Sequence, residues 1–249
     1  MVKHMSFSSL EEIDASLYDF KILFAYHSNK IENERIDFHD TRDIFEKGSV
    51  NGYTGDLRTL YEIENQLHCY NYLKPLIVEK KALDISFVKC IHYKLMKGTY
   101  DDICYHDKQE RPGEFKKHDY VTGKNEIGSY PHEVESDVKE LLSELNTYQG
   151  TDYFTAGVYL HAMFEHIHPF ADGNGRAGRT LMNYYFMIHD IAPVIIYNED
   201  KPAYYFALEA FDRKDSDLTP LKSFIQEEQA KTWCKKKGTG KKRLREFLE

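Results

Sequence analysis

Twelve consecutive residues, His168-Pro169-Phe170-Ala171-Asp172-Gly173-Asn174-Gly175-Arg176-Ala177-Gly178-Arg179, combine an imidazole, a carboxylate, a Gly-Asn-Gly turn and two guanidinium groups. An apolar run from Thr180 to Ile188 follows. Gly173-Asn174-Gly175, lying between two helical patterns, can turn its amides toward an anion at a helix N-terminus, where the dipole favours phosphate. Arg176 and Arg179 are three apart, so both could lean toward that anion. Asp172 offers a hard oxygen ligand of the kind Mg²⁺ uses when it shares a nucleotide's phosphates. His168, held by Pro169, is placed to take a proton from an incoming hydroxyl. The chemistry this implies is nucleophilic substitution at phosphorus.

The same stretch admits plainer readings. A Gly-Asn-Gly run is usually a turn, two arginines on a helix are usually surface charge, and a lone histidine is more often structural than catalytic. Among enzymes, the competing reading is a zinc-dependent hydrolase, because His161, Glu165 and His168 fall at i, i+4 and i+7 on one helical face. A catalytically silent peptide-binding module is the alternative outside enzymes.

The elements that must position these residues read as helices. Ser8-Ser9-Leu10-Glu11-Glu12 forms a start signal for an amphipathic helix through Ile13, Leu17, Phe20, Leu23 and Phe24, leading into His27 to Asn33. Further helices are predicted from Thr54 or Gly55 to Leu73, ended by Pro75, and from Ser86 to Met96. Val134 to Leu145, Thr151 to Ile167, Ala177 to His189, Lys201 to Phe211 and Thr219 to Trp233 complete the count. Between Gly98 and Val134 periodicity fails, and the segment reads as a long functional loop carrying a short hairpin. One mainly helical, all-α domain accounts for the pattern.

Bulk properties narrow the class. The 249 residues, 41% hydrophobic and 30% charged, suit a globular protein, and no apolar run reaches the length of a membrane span. The amino end lacks the apolar core of a secretory signal, so a cytoplasmic setting is expected. Cys69, Cys90, Cys104 and Cys234 lie far apart with no C-x-x-C pair, which suggests free thiols. Residues 231–249 hold eight Lys or Arg against two Glu, and the rest holds 25 basic and 39 acidic residues. A body this acidic disfavours specific nucleic-acid binding, while the basic tail reads as a solvated end.

His168 to Arg179 resembles the Fic-domain signature, H-P-F-x-[DE]-G-N-G-R-x-x-R, at every fixed position. The similarity extends over most of Ser86 to Gln229. It implies a helical Fic fold with a β-hairpin flap, and transfer of AMP from ATP to a Tyr, Ser or Thr hydroxyl of a target protein with release of pyrophosphate. On this resemblance His168 is the base and Asp172 holds Mg²⁺ between the α- and β-phosphates. Gly173, Asn174 and Gly175 cradle the phosphates, and Arg176 and Arg179 meet the β and γ groups. The flap corresponds to residues 113–131 and would grip a target by strand addition. Thr122, Gly123, Lys124 and Asn125 would face the nucleotide from it. Tyr204 and Tyr205 resemble the aromatic pair of the adenine pocket, and Asp212 stands where some relatives carry Asn. Self-modification and a homo-oligomer are open to such a protein.

Ser28-Asn29-Lys30-Ile31-Glu32-Asn33 resembles the family's inhibitory motif, [ST]-x-x-x-E-[GN]. The resemblance implies that Glu32 pairs with Arg179, taking the partner of the γ-phosphate and leaving ATP in a pose unsuited to attack. Glu32 could also orient water to remove AMP from a modified target. The implied division is residues 1–85 as N-terminal helices bearing the motif, 86–230 as the Fic core and 231–249 as the tail.

Overall fold

The computed structural model describes residues 2–120, 128–213 and 216–234. Ten α-helices run among them: α1 Leu10–Ser16, α2 Tyr18–Glu32, α3 Phe38–Lys47, α4 Leu57–Val78, α5 Ile85–Met96, α6 Val134–Thr147, α7 Tyr153–Ile167, α8 Asn174–Ile188, α9 Lys201–Asp212 and α10 Thr219–Trp233. Single π and 3₁₀ turns lie at Ile103–Asp107 and Asn198–Asp200. The fold is all-α; the strand-like pairing present among the described residues is one isolated bridge, His4 to Ile191. No helix among them is long and apolar enough to cross a membrane.

The centre is α8, in which every residue but Gly175 is buried. A helix buried on all sides has to be wrapped on all sides by other elements. One core joins α1, α4, α5, α6 and the facing sides of α7 and α8 through residues such as Leu17, Phe87, Ile91, Val138, Phe164 and Leu181. A second core joins the remaining faces of α7 and α8 to α9 and α10 through Val158, Phe186, Tyr204 and Ile225.

Local chemistry explains most boundaries. Ser9, Asp37, Asp56, Asp84 and Asp152 each accept a backbone N–H in the first turn of the helix they start. The first amphipathic pattern divides at Leu17, where the i to i−4 hydrogen bonds continue on both sides, so the chain bends and its register survives. Pro75 does not end α4. It sits in the last turn, where only one ladder bond is forfeited, while Leu73 and Ile77 on either side stay buried. Helix α3 was not anticipated, although its Asp37 N-cap and left-handed Gly48 at the C-cap are both start and stop signals. The expected hairpin has no strand in residues 113–120 or 128–131, and its middle, 121–127, lies outside the described residues. The tail from 235 onward does too.

Candidate active site

A cavity of about 720 Å³ opens at the N-terminus of α8 and is lined by Glu32, Glu165, His168, Asp172 to Gly175, Arg179, Tyr204 and Tyr205, among others. What makes α8 unlike the capped helices is its start. Gly173 adopts a left-handed backbone, φ 82°, and no side chain caps the turn. The first amides of α8 therefore keep their hydrogen-bonding capacity for a ligand. Gly173 also has no room for a side chain, since a Cβ there would come within 2.4 Å of the Met96 sulfur.

The segment from α7 into this turn is held rigidly. His168 caps α7 in the left-handed conformation, φ 51°, with its N–H still bonded to the Phe164 carbonyl. Phe170 donates its N–H to Asn174 Oδ1 at 2.9 Å, and Asn174 Nδ2 donates back to the Phe170 carbonyl at 2.7 Å. His92 of α5 stacks on Phe170 with centroids 3.6 Å apart. Its Nδ1 accepts from the Gly113 N–H at 2.8 Å, so the ring proton sits on Nε2 and is given to the Asp172 carbonyl at 2.8 Å. Burial holds His92 down at about 4, so this neutral tautomer is the resting one.

Two segments, residues 113–120 and 128–131, straddle His168. Lys116 N–H donates to the Pro169 carbonyl at 2.9 Å and Ser129 N–H to the Ile167 carbonyl at 3.0 Å. At Gly128, φ 63°, a Cβ would fall 2.7 Å from the Ile167 carbonyl oxygen and 2.9 Å from the His168 Cβ. Glu110, wholly buried, organises the first segment by accepting from the Lys117 N–H, His118 Nδ1 and Tyr120 Oη. Burial, with the nearby Lys116 charge, depresses His168 to about 4. Its imidazole is therefore unprotonated at neutral pH, the state a proton acceptor needs.

The two arginines do not lean the same way. Arg179 faces the cavity and is claimed by α2: Nε donates to Ser28 Oγ at 3.1 Å, and Nη2 to the Ser28 carbonyl at 2.9 Å and to Glu32 Oε1 at 2.7 Å. Its Nη1 is buried with no hydrogen-bond partner among the described residues. Burial works against its charge, but Glu32, Tyr204 and Glu165 together outweigh burial and the guanidinium is held charged. Arg176 is instead turned to α4, where Nη1 meets Glu62 at 2.9 Å, and it reaches Asp172 at 3.4 Å. It is not among the residues lining the cavity. The expectation that both guanidinium groups share one anion fails geometrically, because Glu62 attracts one of them from behind.

Asp172 accepts the Gly173 N–H at 2.6 Å and is bridged by Arg58 of α4 at 2.9 Å. Burial pushes its carboxyl up, and Arg176, Arg58, the Gly173 N–H and His92 together more than offset this, so it stays below the usual carboxylate range. Among the described residues no group of three or more His, Cys, Asp or Glu could hold a metal unaided. This contradicts the zinc reading of His161, Glu165 and His168. His161 Nε2 is taken by Tyr204 Oη at 2.7 Å, and His168 has left the helical register. A single carboxylate beside unsatisfied helix amides does fit Mg²⁺, which takes few protein ligands and completes its shell with phosphate oxygens and water.

Tyr204 is fully buried against His161, whereas Tyr205 is partly exposed at the cavity wall. Asp212 pairs with His166 at 2.9 Å. Glu165, pushed up to about 7 by burial, lines the cavity with one oxygen lacking a partner among the described residues. Thr122, Gly123, Lys124 and Asn125 lie outside the described residues. Sequence reasoning missed Arg58, Glu62 and His92, and singled out Glu165 only as a zinc ligand. A glutamate on the otherwise buried face of α4, four residues after an arginine, was the available signal for the first two.

Residues 82–186 match the Fic/DOC family model. Curated relatives include the protein adenylyltransferase Fic of Drosophila persimilis, 27% identical over 236 residues covering 92% of this chain and 42% of the relative. That of Drosophila erecta is 28% identical over 241 residues, covering 92% of this chain and 45% of the relative. The chain thus spans less than half the length of these relatives. Similar solved structures are a Fic domain containing signaling protein from Bacteroides thetaiotaomicron (TM-score 0.75, 21% identity, 90% of this chain and 88% of that one) and Fic-1 from C. elegans (TM-score 0.75, 23%, 92% and 66%).

Proposed function

We propose that this chain, whose residues 82–186 match the Fic/DOC family model, is a protein adenylyltransferase that transfers AMP from ATP to a hydroxyl side chain and carries its own brake. The observation that supports this most is the meeting of a neutral His168 with the uncapped N-terminus of α8 in one cavity. His168 accepts the proton of the target hydroxyl. The oxygen forms a bond to the α-phosphorus, the bond from that phosphorus to the α–β bridging oxygen breaks, and pyrophosphate departs. The α8 amides and Arg179 hold the charge of the phosphates in place. Mg²⁺, held by Asp172, would neutralise phosphate charge.

The brake in this proposal is Glu32. Its carboxylate takes the Arg179 donor that a terminal phosphate would use, and it adds like charge where that phosphate would lie. The N-terminal helices, residues 1–85, thus bring the brake to a core of residues 86–230.

The test is covalent transfer of label from ATP labelled at the α-phosphate, assayed on candidate proteins and on the chain itself. His168→Ala should lower transfer by roughly 10²–10⁴, the usual worth of a positioned base. Undiminished labelling in that variant would sink the reading.

A further inference from the structure

The buried carboxylate behind the site has no part in the chemistry just described. Glu62 lies on the inner face of α4 with its side chain 1% exposed, and it gathers three donors: Arg176 Nη1 at 2.9 Å, Arg58 Nε at 3.2 Å and Asn33 Nδ2 at 2.8 Å. Both of those arginines also touch Asp172, Arg58 at 2.9 Å and Arg176 at 3.4 Å. The four charges, two carboxylates and two guanidinium groups, sum to zero. Without Glu62 the cluster would carry a net positive charge beside the carboxylate that is to receive a divalent cation.

We propose that Glu62 is a positioning residue for the metal-nucleotide site: it neutralises and fixes Arg176 and Arg58, so that Asp172 can turn from them to a divalent cation, and through Asn33 it ties that cluster to the end of the brake helix. The inference rests on the nucleotide reading above. Its physical content is a sign rule. Removing negative charge at residue 62 weakens Mg²⁺ binding, and removing positive charge at residue 58 strengthens it, because the field at Asp172 changes in opposite directions. A role confined to packing makes no such distinction. Groups that orient a metal ligand from behind typically govern roughly 10–100-fold in metal affinity, which sets the scale of the effect.

The measurement is calorimetric titration of Mg²⁺ into the full chain saturated with a non-hydrolysable ATP analogue, with thermal melting alongside to establish folding. Glu62→Gln, which keeps volume and loses charge, should weaken Mg²⁺ about tenfold or more. Glu62→Asp, which keeps charge and loses a methylene, should recover most of that loss. Arg58→Gln, at a half-exposed position, should tighten Mg²⁺ several-fold, and it carries the test alone if Glu62→Gln does not fold. An unchanged Mg²⁺ affinity in folded Glu62→Gln, or weaker binding in Arg58→Gln, overturns the proposal while leaving the transfer reading intact. Failure of the unmodified chain to bind the analogue at all overturns both.

Discussion

Arg176 and Arg179 stand one turn apart on the same buried helix, yet their surroundings differ in kind. Arg176 is closed in by Glu62, whose side chain is 1% exposed and shared with two other donors. Arg179 faces a cavity, and its acidic partner, Glu32, is 29% exposed at the last residue of α2. The first pair is fixed by burial on both sides. The second is a contact that a ligand can reach and replace. The lesson is that identical residue types at helical spacing acquire opposite roles from what faces them across the groove.

Stability should separate the two pairs most widely. Truncating Glu62 to alanine leaves Arg176 charged in the interior with only the longer contact to Asp172, 3.4 Å, to compensate it, for a loss of about 3–5 kcal/mol. Glu32→Gly removes a partner from an arginine that keeps both Ser28 bonds and borders the cavity, at a cost of about 1 kcal/mol or less. Urea denaturation of the two variants checks the ordering, and equal losses would erase the distinction. Next in size is Gly128→Ala. Its positive φ and the approach to the Ile167 carbonyl should cost about 1–3 kcal/mol and displace the segment that borders His168. Transfer should fall along with melting temperature, whereas an unaltered rate would remove that segment from the account of His168.

The pH dependence of stability is a smaller and more distributed effect. His92 and His168 are held down at about 4, and His161 at about 3, by burial first in each case. Unfolded, each takes a proton near pH 6.5, so the unfolded chain binds more protons below that pH and stability drops as pH falls. Glu165 and Glu228, raised by burial to about 7, act oppositely between pH 7 and their unfolded value near 4.5. Melting temperature should therefore decline gently from about pH 6.5 and steeply below about pH 5, where the two carboxyls no longer oppose the loss. A melting temperature flat to pH 4 would mean these histidines are not buried neutral.

Much of the fold was legible because helix signals are local. The Ser9 cap and the apolar periods of α5, α6, α7 and α10 each act within a few residues, and so do the Asp37 cap and the αL Gly48 of α3, which went unread. Pro75 misled because its penalty depends on position within the helix and on burial of its neighbours, neither of which the residue type reveals. The site divides the same way. The uncapped Gly173 turn and the motif from His168 to Arg179 are contiguous, so their geometry could be read from the chain. The direction of Arg176 could not, because it is decided by Glu62, more than a hundred residues away in sequence. His92 was silent for the same reason: its role arises only where Phe170, Gly113 and the Asp172 carbonyl meet around one ring.

In the proposed function the Arg179 side of α8 is a transfer site held off by Glu32. Intact-mass spectrometry of the Glu32→Gly chain incubated with ATP and Mg²⁺ tests it most directly, run beside the unmodified chain and a variant that also carries His168→Ala. The account predicts an AMP adduct that accumulates on Glu32→Gly, stays low on the unmodified chain and vanishes when His168 is replaced. Equal adduct on the unmodified and Glu32→Gly chains would contradict the brake, and an adduct that persists without His168 would contradict the transfer chemistry.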